Sequence, residues 1–168
     1  MIPYGVMPAR VRLSPDSDYP VTLRALIEKS SRYCLCSLFI VDLLPAGDPD
    51  LQVHEVFRAL QGAGWRGVDT RLLIGGSRTN LDIAERAITA RSWAAEHGIA
   101  VRWLTAQAVR GSHVKLVVAD DYVLMGSHNW SGGAFTNQTQ DSVLVQSAAL
   151  ATRFIHLFNG QWLRAEHL

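Results

Sequence analysis

The sequence predicts an α/β protein, a mixed β-sheet flanked by helices on both faces. Three observations predict it. Apolar runs of strand length alternate along the chain with longer stretches whose apolar residues recur every three or four positions. The 168 residues suit a single domain, 1–168, large enough to bury a core. Hydrophobic residues make up 48% and charged residues 18%, the balance of an ordinary globular protein, with no linker, low-complexity stretch or internal repeat to divide it.

The elements follow in order. Val11-Arg12-Leu13 reads as a short strand, and Ser14 to Asp18 as a loop leading into a helix. That helix is expected over 20–31, with Leu23, Leu26 and Ile27 on its apolar face. Residues 33–41 form a near-continuous apolar run, the pattern of a buried central strand. A loop at 45–49 precedes a helix carrying Val53, Val56, Phe57 and Leu60, expected to end at Gly62-Ala63-Gly64. A strand over 68–74 closes at Gly75-Gly76. Asn80 or Thr79 caps a helix running to His97, with Gly98 as its stop. A strand over 99–104 comes next, then two strands over 114–119 and 122–125. A loop around Gly132-Gly133 leads to a strand at 142–146. A final helix over 148–164 should turn Phe154, Leu157, Phe158 and Leu163 inward.

Several classes are disfavoured. Met1 to Leu13 holds no signal-peptide core, since Arg10 and Arg12 interrupt it, and no run reaches the ~18 apolar residues of a membrane span. A cytoplasmic address is the expectation. The formal net charge of +1 is not the basic excess of many nucleic-acid binders, although net charge says nothing of local distribution. Cys34 and Cys36, two apart on a strand, suit neither a mutual disulfide nor a zinc site and read as reduced core thiols.

The densest chemistry lies in His113-Val114-Lys115, Asp120, and Gly126-Ser127-His128-Asn129. Alternate side chains on an extended strand share a face, so His113 and Lys115 point the same way. The Gly126-Ser127 turn brings Asn129 back beside them. An imidazole, an ammonium and an amide converging on one point suit a phosphodiester. The imidazole can attack phosphorus while the cation and amide hold the equatorial oxygens.

These residues resemble the HKD motif of the phospholipase D superfamily: His, Lys, Asp, Gly, Ser and Asn occur in order, at H-x-K-x4-D and G-S-x-N spacing. One departure is visible. Five residues separate Asp120 from Gly126, where the family has six, which reads as a shortened hairpin. The resemblance implies a phospholipase D-like fold and catalysis without metal or cofactor. It also implies an acidic residue a dozen positions on, matched here by Asp141, that orients the imidazole. Asp120 and Gly126 are expected to be structural supports, Asp120 fixing the turn. Lys115, Asn129 and Ser127 are expected to hold the phosphoryl oxygens.

The motif occurs once. In-line displacement needs a nucleophile on one side of phosphorus and an acid on the other, and one imidazole cannot occupy both. None of His54, His97, His128, His156 and His167 has a lysine two residues on. Single-motif members of the family pair two chains, so a C2 homodimer with two His113 facing each other is expected. The small single-motif members are mostly nucleases. The expected function is therefore a nucleic-acid phosphodiesterase, an endonuclease with DNA as partner. The alternatives are a phospholipid hydrolase or phosphatidyltransferase, and a non-catalytic nucleic-acid-binding module. Other residues carry plainer readings: His128 at the solvent or substrate edge, Trp130 in the core or rim, and Arg66, Arg71, Arg78 and Arg110 as solvated surface that could line a path for a polyanion.

Overall fold

The computed structural model describes residues 9–43, 51–77, 79–104 and 112–165. The loop expected at 45–49, Arg78, Arg110 and His167 lie outside them. The chain runs β1 (Arg10–Leu13), α1 (Asp18–Lys29), β2 (Tyr33–Leu38), α2 (Leu51–Trp65), β3 (Asp69–Ile74), α3 (Leu81–Glu96) and β4 (Ala100–Trp103). It continues through β5 (Leu116–Ala119), β6 (Tyr122–Gly126), α4 (Gly132–Thr136), β7 (Ser142–Gln146) and α5 (Ala148–Arg164). Among the described residues the strands form a seven-stranded mixed sheet in the order β1-β7-β6-β5-β2-β3-β4. The β2, β3 and β4 strands run parallel through helical crossovers, and the β5–β6 hairpin enters antiparallel beside β2.

Alternation along the strands divides the core. Cys34, Cys36, Leu38, Leu72, Val117 and Leu124 pack under α1, α2 and α3. Leu35, Leu73, Leu116, Val118 and Val123 pack under α5. Both cysteines are buried and free. The fold class is thus α/β, with helices on both faces. None of the described helices is long and apolar enough to cross a membrane.

Helix ends depart from expectation where packing overrides local propensity. The α2 helix runs past Gly62 and Gly64 because Ala63 is buried in the core, which offsets the ~1 kcal/mol that each helical glycine costs. Its stop is Gly67, in the left-handed region at φ 82°. Gly67 N–H donates to Gly64 O and Val68 N–H to Ala63 O, the pair of bonds that closes a Schellman end. Gly98 ends α3 the same way, and Asn80 caps its start by accepting from Ile83 N–H at 3.2 Å. The expected loop at Gly132-Gly133 is instead the short α4, since Ser131 Oγ accepts from Ala134 N–H and both Ala134 and Phe135 are buried. On α5, Leu157 and Leu163 are exposed rather than inward. They sit roughly 120° either side of the buried line through Ala151 and Phe158, since a helix turns about 100° per residue.

The site edge of the sheet is set by register. Pairing of Ser37 with Leu116, Leu116 with Met125, and Gly126 with Ser142 gathers the ends of β2 and β6 beside the starts of β5 and β7. The strand expected over 114–119 begins at Leu116, so Lys115 precedes it along with His113. The β2–β5 ladder ends at the Ser37–Leu116 pair, so residues 113–115 lie beyond its last rung.

Gly126 is required by this crowding. A Cβ there would lie 2.2 Å from Ser142 Oγ and 2.3 Å from Asp141 O. Gly126→Ala should therefore force β6 from β7 and cost about 2 kcal/mol or more. Urea unfolding of the variant should show a lowered midpoint at unchanged slope. An unchanged midpoint would show that the two strands yield freely.

Candidate active site

His113 is exposed, whereas Lys115 is only 8% exposed. Lys115 Nζ donates to the His113 carbonyl at 3.1 Å and stands 3.2 Å from Nδ1 and 3.3 Å from Nε2 of the same residue. The ammonium is thus nearly equidistant from the two ring nitrogens. Phe39, just past β2, packs on both, with its ring centroid 4.5 Å from the imidazole and 5.1 Å from Nζ. Partial burial, then the Lys115 charge, hold the imidazole below its usual pKa. Burial likewise lowers the ammonium. The pair thus favours a neutral imidazole, the form with a lone pair to attack phosphorus.

The second half of the site is the extended segment after β6. Ser127 is exposed, and Asp141 fixes it from the start of β7. Ser127 N–H donates to Asp141 O at 2.9 Å, and Asp141 N–H donates to Ser127 Oγ at 3.1 Å. Asn129 is half-buried, and its Oδ1 has no hydrogen-bond partner among the described residues. It opens onto a cleft of about 350 Å³. Trp130 N–H donates to Ile40 O at 3.1 Å, and Asp42 N–H to Trp130 O at 2.7 Å. The consecutive Phe39 and Ile40 therefore join the two halves, one touching His113 and Lys115, the other holding the Asn129 segment. Sequence reasoning missed both; the one signal was that the apolar run continues past the end of β2.

The predicted residues do not all meet. His113 and Lys115 are in contact, and Ser127 and Asp141 are in contact. The Lys115 carbonyl links the halves by accepting from Gly126 N–H at 3.4 Å. Among the described residues no hydrogen bond joins Asp141 to His113; the Asp141 side chain is exposed at the start of β7. Asp120 lies at the far end of β5, about 16 Å along the chain from Lys115 at strand rise. Its carboxylate accepts from Ser31 N–H, Ser31 Oγ, Arg32 N–H and Tyr33 N–H, with its own φ at 49° in the two-residue turn. Burial pushes its pKa up, but the backbone donors of Arg32, Ser31 and Tyr33 outweigh that and hold it low.

One surface expectation is corrected. His128 is fully buried, not at the solvent edge. Its ring stacks on Tyr19 at 4.1 Å and 3°, and its Nδ1 lies 2.8 Å from Ser142 Oγ. An extended segment that shows Ser127 and Asn129 outward must turn His128 and Trp130 inward. Burial lowers the His128 pKa, against an upward pull from Asp16 and Asp141. Arg66, just past α2, is exposed as expected and donates to Ile27 O and Ser30 O. Arg71, in β3, is half-buried and donates to Asp69 and Asn159. Among the described residues no three His, Cys, Asp or Glu side chains form a metal-binding group.

Comparison with known proteins shows the family and the fold. The family profile described as cardiolipin synthase, PLD-like domain, matches residues 23–162. Nuc, a phospholipase D family member from Salmonella typhimurium, superposes with a TM-score of 0.74 at 22% identity, covering 96% of this chain and 97% of its own. NucT from Helicobacter pylori gives 0.73 at 13% identity, over 96% and 100%. Phosphatidylserine synthase from Haemophilus influenzae Rd KW20 gives 0.70 at 16% identity, over 91% of this chain and 38% of its own. No curated protein sequence matches the chain.

The burial of His128 has a consequence for pH. Its folded pKa is depressed below 6.5, so the unfolded chain takes the proton first. Stability should fall as pH drops below about 6.5 and stop falling, for this group, below the folded pKa. His128→Gln should remove that part of the loss. Urea midpoints at pH 7.5 and pH 5.5 should therefore drop less in the variant than in the wild type. Equal drops would show that His128 keeps an ordinary pKa.

Proposed function

The chain belongs to the phospholipase D-like family, and from that premise we propose that it is a metal-independent phosphodiesterase that cleaves nucleic acid, acting as an endonuclease through a site shared by two copies. One observation carries the reading: an exposed, neutral-leaning imidazole in contact with a buried ammonium, with an amide on the adjoining segment whose oxygen has no partner among the described residues. The cleft beside Asn129 supports nucleic acid over lipid, because its lining is mixed rather than continuously apolar: Asp42, Asp82, Arg86 and Gln138 stand beside Ile40 and Ile83.

The steps balance with two His113. The imidazole of one copy attacks phosphorus and forms a P–N bond. The P–O bond to the leaving alcohol breaks, and the second copy's His113 gives that oxygen its proton. The second imidazole then takes a proton from water, whose oxygen attacks the phosphohistidine and breaks the P–N bond. Lys115 and Asn129 stabilise the equatorial oxygens, donors each worth ~10²–10³ in rate in comparable sites. Lys115 supplies the positive charge. Asp141 would orient a His113 only after a shift of its exposed carboxylate or across the two-fold axis.

Activity on DNA, RNA and phosphatidylglycerol vesicles, each assayed in excess EDTA, tests substrate and metal together. Cleavage of nucleic acid should persist in chelator while the vesicles stay intact. Activity lost in EDTA and regained with a divalent ion would refute the metal-independent mechanism, and cleavage of the lipid alone would refute the nucleic-acid reading.

The shared site makes a sharper demand. His113→Ala should abolish turnover yet keep salt-sensitive nucleic-acid binding. After subunit exchange with wild type, activity should fall as the square of the wild-type fraction. A linear fall under proven exchange would show that each subunit works alone.

A further inference from the structure

The cleft of about 350 Å³ beside Asn129 is larger than a phosphoryl group needs. It sits near the lower bound of small-molecule pockets, about 300 Å³, which suits a single compact group rather than a length of polymer. Its charge argues against a further phosphate. Asp42 and Asp82 outnumber Arg86, which is ion-paired to both, by Nη1 to Asp42 and by Nε to Asp82 at 3.1 Å. What the cleft offers is two kinds of wall. Ile40 and Ile83 present apolar surface, suited to the faces of a flat ring. The Asp–Arg pairs and Gln138 present acceptors and donors, suited to that ring's edge. The Gln138 Oε1 already accepts from Gln140 at 3.1 Å. Its Nε2 lies 3.2 Å from where a Cβ on Gly133 would sit, so Gly133 leaves the room this amide occupies. Asn129 Oδ1, buried and unpartnered among the described residues, adds an acceptor to the lining.

We infer that this cleft is a nucleoside subsite: it takes the base and sugar of the nucleotide next to the scissile phosphate and reads the base edge through Arg86 and its carboxylates. The inference rests on the nucleic-acid reading above and adds a base preference to it. Hydrogen-bonding side chains discriminate bases by their edge pattern, and a two-pronged contact gives about tenfold selection.

The test uses the full chain, single-stranded oligonucleotides that differ in one base beside a fixed cleavable position, and bis(4-nitrophenyl) phosphate, a diester with no nucleoside. Arg86→Ala removes the reader but leaves Asp42, 7% exposed, without this partner, and the variant could unfold. Ile83→Trp fills the cleft from a half-buried helix position and is the second variant. Wild type should prefer one base at a flanking position by about tenfold. In Ile83→Trp that preference should collapse, and the ratio of oligonucleotide to bis(4-nitrophenyl) phosphate kcat/KM should drop by about tenfold; a folded Arg86→Ala should lose the preference too. Equal losses on both substrates, a preference that survives Ile83→Trp, or conversion of a dimer to monomer by that variant would overturn the subsite. Wild-type cleavage of oligonucleotides without any base preference would overturn it while leaving the nuclease reading intact. Wild-type hydrolysis of the small diester with no cleavage of nucleic acid would instead remove the nucleic-acid reading, and the subsite with it.

Discussion

Burial of His128 and Trp130 fixes the half of the site that carries Ser127 and Asn129. The segment is extended, so inward and outward side chains must alternate. Trp130 packs edge-on against Phe57 and donates Nε1–H to Tyr19 Oη at 3.1 Å, while His128 lies flat on the same Tyr19. Tyr19 in turn is 2% exposed on α1, so a helix from the start of the chain anchors a segment more than a hundred residues later. A buried tryptophan hides ~150–250 Å² of surface, enough to oppose any rotation that would expose it. Rotation of either ring would displace Asn129 from the cleft that it lines.

The other half of the site depends on placing a cation in a half-closed position. A buried ammonium is costly unless its donors are satisfied. Here one goes to the His113 carbonyl, and the Phe39 ring supplies a favourable face. Nζ also stands beside both imidazole nitrogens, and under the proposed function phosphoryl oxygens would bind there. Low solvent access would strengthen the field that Lys115 exerts on such oxygens. Burial lowers both pKa values, and the Lys115 charge adds to the lowering at His113.

The β5–β6 hairpin connects these demands. At its far end, four donors from residues 31–33 clamp the Asp120 carboxylate and fix the turn. At its near end, Gly126 allows β6 and β7 to approach too closely for any side chain. With both ends held, the positions of His113 and Lys115 before β5 and of Ser127 and Asn129 after β6 are determined relative to one another. The Asp42–Arg86 pair extends the same rigidity to the cleft, since the Asp42 backbone N–H also donates to Trp130 O.

The sequence by itself determined the α/β class, the order of the strands and long helices, and the family that the chain resembles. Period-two and helical spacings are local properties, and so are the caps at Asn80 and Gly98 and the glycine in a turn. Local spacing also sufficed for the shortened hairpin, which has two residues between Ala119 and Tyr122. Tertiary structure decided what depends on partners distant in the chain. The run at 33–41 gave no sign that Phe39 would cover His113, because that contact forms only when β5 pairs antiparallel with β2. His128 looked exposed because its neighbours are polar, yet Tyr19 and Ser142 bury it. Arg66 and Arg71 looked available because their acceptors lie on other elements. Leu157 and Leu163 looked inward because composition alone does not reveal the angle at which α5 meets the sheet. Spacing along the chain names the chemical groups, but their burial and mutual distance come from segments that the chain brings together only on folding.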